Sequence, residues 1–163
     1  THLQVTHSNI QLIRVTSAQE MYEACHKYFS SVDAAICAAA VADYKPKFVA
    51  DQKIKKNEAS LQIELEKTQD ILASLGKIKQ HQFLIGFALE TENEIENAQL
   101  KIQKKNLDLI VLNSLRDEGS GFGTTTNQVT FIDAQNNIEQ RPLQSKEQVA
   151  LDIIHKIMAY YEA

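Results

Sequence analysis

Ile36-Cys-Ala-Ala-Ala-Val-Ala-Asp-Tyr-Lys-Pro-Lys-Phe-Val-Ala-Asp-Gln-Lys-Ile-Lys-Lys56 is the stretch whose reading decides the fold. Ala34 to Val41 reads as a buried strand of small apolar residues, and it delivers one carboxylate, Asp43, just past its C-terminal end. A loop holding Lys45, Lys47, Lys53, Lys55 and Lys56 follows. In an open α/β sheet the C-terminal ends of the strands line the ligand crevice. A carboxylate there, followed by several ammonium groups, suits a polyphosphate and its metal ion. The small side chains of Cys37, Ala38, Ala39 and Ala40 would let a flat ring lie close to the backbone. The plainer reading is a core strand and a solvated lysine loop, and the residues alone leave the two level.

The neighbouring segments say what kind of sheet this strand joins. Gln11 to Val15 is a short strand candidate, and Ser17 and Glu20 have capping-box spacing ahead of a helix from about Ala18 to Phe29. Leu61, Ile63 and Leu65 alternate with polar residues, the pattern of a half-buried strand. Thr68 is placed to cap a helix over Asp70 to Lys77. Phe83 to Leu89 is an apolar run suited to a central parallel strand, and it ends at the polar Glu90 and Thr91. A helix over 92–105 carries Ile95, Ala98 and Ile102 on one side, and Leu107 to Leu112 is a further buried strand ending at Asn113. Gln128 to Ile132 and Ile138 to Arg141 read as a hairpin. Ser145 and Gln148 repeat the capping-box spacing before a last helix from about Lys146 to Tyr161. Strands alternating with helices imply an α/β fold: a Rossmann-like open parallel sheet with helices on both faces and an antiparallel C-terminal hairpin at one edge.

Composition narrows the function. With 163 residues, 44% hydrophobic and 23% charged, the chain reads as one soluble globular domain, 1–163. A net charge of -4 argues against a nucleic-acid partner, which wants a basic face. No apolar run approaches the roughly 20 residues that cross a bilayer, and no signal peptide is visible. Cys25 and Cys37 form no CxxC pair and read as thiols of a reducing cytoplasm; the five histidines lack metal-ligand spacing.

The chemical signals are individually modest. Gly119-Ser-Gly-Phe-Gly123 lacks the GxGxxG spacing and opens no helix, so a flap or a subunit-contact loop is favoured over a phosphate cradle. Lys101 and Lys105 share a helix face and repel unless an anion sits between them, although cations at a helix C-terminus also answer the helix dipole. Phe87 reads as core, with a backbone near enough to the strand end to touch a ligand.

Taken together, Ala39-Ala-Val-Ala-Asp-Tyr44, Lys53-Ile-Lys-Lys56, Thr68-Gln-Asp-Ile-Leu72, Ile85-Gly-Phe-Ala-Leu-Glu-Thr91, Lys101 through Lys105-Asn-Leu-Asp-Leu-Ile-Val111, Asn113, Gly121-Phe-Gly123 and Asn127 resemble phosphopantothenate–cysteine ligase. The likeness runs from about residue 11 to the C-terminus, and the order and spacing of the motifs carry it. It is similar to the bacterial form, which is usually fused behind a flavin-dependent decarboxylase, so FMN is implied only if that domain is attached. The resemblance implies that 4′-phosphopantothenate is activated by CTP as an acyl cytidylate and then captured by L-cysteine.

It also implies roles for individual residues. Lys53 would be the catalytic cation; Asp43 would hold the ribose hydroxyls or the Mg2+ complex. Cys37, Ala38, Ala39, Gln69, Asp70, Ile71, Leu72, Phe87, Lys101 and Lys105 would contact the nucleotide, with the backbone amides at 69–72 forming a helix N-terminus that suits anions. Gln69 stands where the family tends to have proline. Nothing in residues 1 to 16 matches the family's opening strand, glycine-rich turn and asparagine. The chain is therefore expected to lack an N-terminal segment, to leave a sheet edge open and to turn over poorly alone. A homodimer through residues 113–140 is expected as well. Two readings compete: an NAD(P)- or nucleotide-sugar-binding domain of an oxidoreductase, with Asp43 gripping a ribose, and a non-catalytic interaction domain whose lysines serve solubility.

Overall fold

The structure is a computed structural model that describes residues 4–54, 61–114 and 123–162. The elements in chain order are α1 (Ala18–Phe29), β1 (Ala34–Cys37), β2 (Tyr44–Pro46), β3 (Leu65–Lys67), α2 (Ile71–Ile78), β4 (Phe83–Glu90), α3 (Glu94–Lys105), β5 (Leu109–Ser114), β6 (Thr126–Asn127), β7 (Val129–Asp133), β8 (Ile138–Gln140), β9 (Gln144–Ser145) and α4 (Lys146–Glu162). They fall into two compact units: residues 1–28 with 40–71, and residues 29–39 with 72–163.

The second unit holds a five-stranded sheet in the order β1-β4-β5-β7-β8. β1, β4 and β5 run parallel, while β7 and β8 continue the sheet antiparallel. The register Ile85↔Leu109 and Val111↔Phe131 stacks apolar side chains on one face, where Val149 and Ile153 of α4 close the core. The alternate residues of β4 face the other way. A methyl placed on Gly86 would meet Leu72 of α2 and Leu107, so helices cover that face too. The expected α/β architecture with its C-terminal hairpin is therefore present.

Local chemistry explains where the elements begin. The Ser17–Glu20 capping box forms in full: the Glu20 N–H donates to Ser17 Oγ at 3.1 Å, and the Ser17 N–H donates to Glu20 Oε2 at 3.2 Å. A further hydrogen bond from the Thr16 N–H, the largest influence, lowers the Glu20 carboxyl below its ordinary range. The second box forms by half. The Gln148 N–H donates to Ser145 Oγ, but the Gln148 side chain reaches Asp152 instead of turning back.

Several expected boundaries shift, each for a physical reason. β1 ends at Cys37 rather than Val41, because its ladder to β4 stops at Cys37↔Gly86. It is also an edge strand, with Ile36 44% exposed, rather than a buried one. Residues 11–15 form no strand, having no ladder partner among the described residues. Of the 61–66 run only Leu65 and Glu66 enter a strand, and that strand pairs with β2 outside the main sheet with all three of its residues exposed. Thr68 caps no helix: its hydroxyl donates to the Ala42 carbonyl at 2.5 Å, and α2 starts at Ile71. β5 runs two residues later than expected, because Asn106 in the left-handed region ends α3 and the Leu107 N–H still donates to Ile102 O. No helix among the described residues is long and apolar enough to cross a membrane.

Asp152 of α4 is 5% exposed and gathers four donors. Arg141 Nε donates to Oδ2 and Nη2 lies against Oδ1, both at 2.9 Å, while Gln144 and Gln148 donate at 2.7 and 3.3 Å. The Arg141 hydrogen bond is the main reason the carboxyl sits at about 2; the two glutamine amides assist and burial opposes. A carboxyl held below its unfolded value stabilises the fold at pH values above the unfolded pKa and loses that contribution as pH falls through the folded one. Asp152→Asn is accordingly expected to cost about 2 kcal/mol at pH 7. In urea titrations that difference from the parent chain should close between about pH 5 and pH 2.

Candidate functional site

The mouth of the parallel strands lies at Cys37, Glu90 and Ser114, the C-terminal residues of β1, β4 and β5. In this unit Cys37, Leu72 and Phe87 are half-buried, and Ala38 and Ala39 are exposed just past β1. Lys101 forms an ion pair with Glu90, whose other oxygen accepts from Asn97 Nδ2 at 3.4 Å. The anion that the Lys101–Lys105 spacing calls for is thus supplied at least in part by the protein's own strand end. Glu90 is the residue that sequence reasoning undervalued; the polar stop to an apolar run was its signal.

Asn113 and Asn127 meet at the end of β5, with Asn127 Nδ2 donating to Asn113 Oδ1 at 3.0 Å. Asn127 is 6% exposed, and its own Oδ1 has no partner among the described residues. Gly123 has a φ of 78° and open space where a Cβ would stand. The rest of the glycine loop, with Lys55 and Lys56, lies outside the described residues.

Asp43, Lys53, Gln69, Asp70 and Ile71 belong to the other unit. Thr68 joins two of the predicted motifs there. Its N–H donates to the Asp43 main-chain carbonyl at 2.9 Å while its hydroxyl holds Ala42, so residues 69–71 leave from beside the backbone of Asp43. A groove of about 500 Å³ opens next to this staple, with Ala42, Tyr44, Lys45, Lys67, Thr68 and Gln69 in its wall.

The lysines of the loop differ sharply. Lys45 pairs with Glu66 at 3.2 Å and Lys47 with Glu64 at 2.5 Å. Lys53 is exposed and makes no ion pair among the described residues, and neither does Asp43. No three His, Cys, Asp or Glu side chains converge among the described residues, which rules out an all-protein metal cage within them. A single uncommitted carboxylate still fits Mg2+, which takes one or two carboxylates and fills its other positions with phosphate oxygens and water.

Comparison with known proteins places this geometry. Residues 1–161 match the family model described as DNA/pantothenate metabolism flavoprotein C-terminal domain. A protein of an unknown prokaryotic organism named Cysteine/Cysteine sulfinic acid decarboxylase is 51% identical over 157 residues, 96% of this chain and 44% of its own length. The Coenzyme A biosynthesis bifunctional protein CoaBC of Bacillus subtilis (strain 168) is 42% identical over 149 residues, 91% of this chain and 37% of its own length. The crystal structure of the C-terminal domain of a CoaBC superposes with a TM-score of 0.74 at 41% identity, over 92% of this chain and 67% of that one. The chain thus spans less than half the length of the curated relatives it matches. Sheet order, strand-mouth motifs and these matches agree, and the chain belongs to the DNA/pantothenate metabolism flavoprotein C-terminal domain family.

Proposed function

We propose that this domain is the phosphopantothenate–cysteine ligase of coenzyme A biosynthesis, with CTP as cosubstrate. The carboxylate of 4′-phosphopantothenate attacks the α-phosphorus of CTP, the bond to the β-phosphate breaks, and pyrophosphate leaves. The amine of L-cysteine then attacks the acyl cytidylate, loses a proton, and CMP departs with the C–O bond electrons. Charge builds first on phosphorus and then on a carbonyl oxygen, so fixed cations and N–H donors supply most of the acceleration.

The observation that carries this reading is the division of labour in the lysine loop. Lys45 and Lys47 are neutralised by glutamates, while Lys53, in the same unit as Asp43, makes no ion pair among the described residues. Lys53 is assigned to the triphosphate and then to the acyl phosphate; Asp43 is assigned to the ribose or to Mg2+. Cys37, Ala38, Ala39, Gln69, Asp70, Ile71, Leu72, Phe87, Lys101 and Lys105 complete the nucleotide contacts. The relatives named CoaBC support the pathway, and a Cab2 mutant solved with phosphopantothenate-cysteine shares the fold at a TM-score of 0.64 and 18% identity. A cytoplasmic enzyme pairing through residues 113–140 belongs to the same reading.

Calorimetry with CTP, ATP and NADPH in the presence of Mg2+ tests it. CTP is expected to bind, and Asp43→Asn to weaken it about 10-fold or more, the worth of one charge-assisted contact. Binding of NADPH in place of CTP would move the domain to the oxidoreductases.

A further inference from the structure

Asn127 is a buried carboxamide with half of its hydrogen bonding unmet. It is 6% exposed, its Nδ2 donates to Asn113 Oδ1 at 3.0 Å, and its own Oδ1 has no partner among the described residues. A buried acceptor left empty costs stability, and such a group in a native fold calls for a reason, a ligand's donor among them. Its backbone surroundings are fixed. β6 pairs Asn127 with Gln144 of β9, and β5 pairs Asn113 with Leu89 of β4 and Val129 of β7. Asn113 stands two residues beyond Val111, the partner of Phe87, so it shares a face of the sheet with Phe87 at the mouth of the parallel strands. The empty oxygen therefore lies at the end of the sheet where an α/β fold takes its ligands.

We propose that Asn127 positions the amino-acid substrate, its Oδ1 accepting a hydrogen bond from the attacking amine of L-cysteine; this role rests on the ligase reading above. Polarity selects the group. With Nδ2 spent on Asn113, the carboxamide offers only an acceptor, so it refuses phosphate and carboxylate oxygens and takes an N–H or O–H. Strand order argues against the base. The nucleotide ring is assigned to Cys37, Ala38 and Ala39 at the end of β1, and β4 separates that strand from β5. Two strand spacings, about 10 Å, hold the exocyclic amine of a ring lying there away from Asn127. The amine of cysteine has a requirement that a neutral acceptor meets. It attacks only when unprotonated, and a carboxylate in this position would favour its ammonium form. A carboxamide oxygen orients the nitrogen without that bias. The N–C bond then forms, the C–O bond to CMP breaks with its electrons, and the proton shed by nitrogen passes to solvent; Asn127 aims the N–H and takes no proton.

Rapid-quench kinetics on the full-length polypeptide separate the two half-reactions. Without cysteine, the burst of pyrophosphate reports activation alone; on adding cysteine, release of CMP reports capture. Asn127→Ala is expected to keep the burst rate within about 2-fold and to raise the half-saturating cysteine concentration about 10-fold or more. Asn127→Asp should leave the burst equally intact and move the rising limb of the capture pH profile upward by about one unit, because its carboxylate favours the ammonium form. Since aspartate at a buried position could fail to fold, the alanine variant carries the concentration test by itself. Burst and capture falling together, as a purely structural clasp on Asn113 would cause, overturns the proposal. So does an unchanged cysteine requirement in Asn127→Ala, or a folded Asn127→Asp chain whose limb stays in place. A parent with no pyrophosphate burst on CTP would instead remove the ligase reading, and this role with it.

Discussion

Replacing Lys53 with glutamine is expected to lower the rate of CTP-dependent pyrophosphate release in the full-length polypeptide by about 10²–10³-fold, the usual cost of removing one preorganised group from a site of developing charge. Glutamine keeps the chain length nearly constant and removes only the ammonium. If Lys53 meets the triphosphate mainly as charge builds, kcat should fall further than CTP affinity does. The control lies in the same loop. Lys45 is already engaged with Glu66, so Lys45→Gln should change the rate by less than about 3-fold, as exposed ion pairs contribute little. Equal effects from the two substitutions would mean that general positive charge is what matters, and an unchanged rate in Lys53→Gln would remove its catalytic role.

Gly76→Ala is expected to be the most damaging single methyl in the second unit. A Cβ at Gly76 would stand far inside van der Waals contact distance of the Lys105 carbonyl oxygen and 2.8 Å from its carbon, both backbone atoms. The contact is fastened from the other side as well, because Asn106 Nδ2 donates to Gly76 O at 2.9 Å. Helix propensity alone would favour alanine by about 1 kcal/mol, so a net loss isolates the clash. We expect about 3 kcal/mol, read in urea, and a Tm lower by roughly 10 °C. Gly86→Ala is the comparison. Its methyl meets the side-chain tips of Leu72 and Leu107 at 2.6 and 3.0 Å, which can move, and it should cost about 1 kcal/mol. The Gly76 variant should also weaken CTP binding through Lys105, a result that ties this packing contact to the proposed site.

The sheet was legible because its strands carry their partners' chemistry in their own residues. Phe83 to Glu90 is apolar almost throughout, as only a strand flanked and covered on both faces can be, and it sits between β1 and β5. Asp133 and Asn137 announce the β7–β8 turn, and the Asp133 carboxylate accepts from the Gln135 and Asn137 N–H groups at 2.9 and 2.8 Å. The 61–66 alternation was misleading in a specific way. It marks an apolar side and a charged side correctly, but periodicity cannot say whether the apolar side meets the protein's own core. The Glu90–Lys101 pair was hidden because it joins a strand end to a helix 11 positions later, a distance no local pattern encodes. The position of Asp43 beside residues 69–71 was hidden for the same reason, since it depends on Thr68 bonding 26 positions back to Ala42.

β1 is made early in synthesis and finds its partner late. Ala34 pairs with Phe83, so the ribosome must release all of β2, β3 and α2 before the strand has anything to bond to. A run of valines and isoleucines waiting that long would invite neighbouring chains to pair with it. The alanines at positions 34 and 35, half of β1, are much less adhesive, and their small size serves the nascent chain.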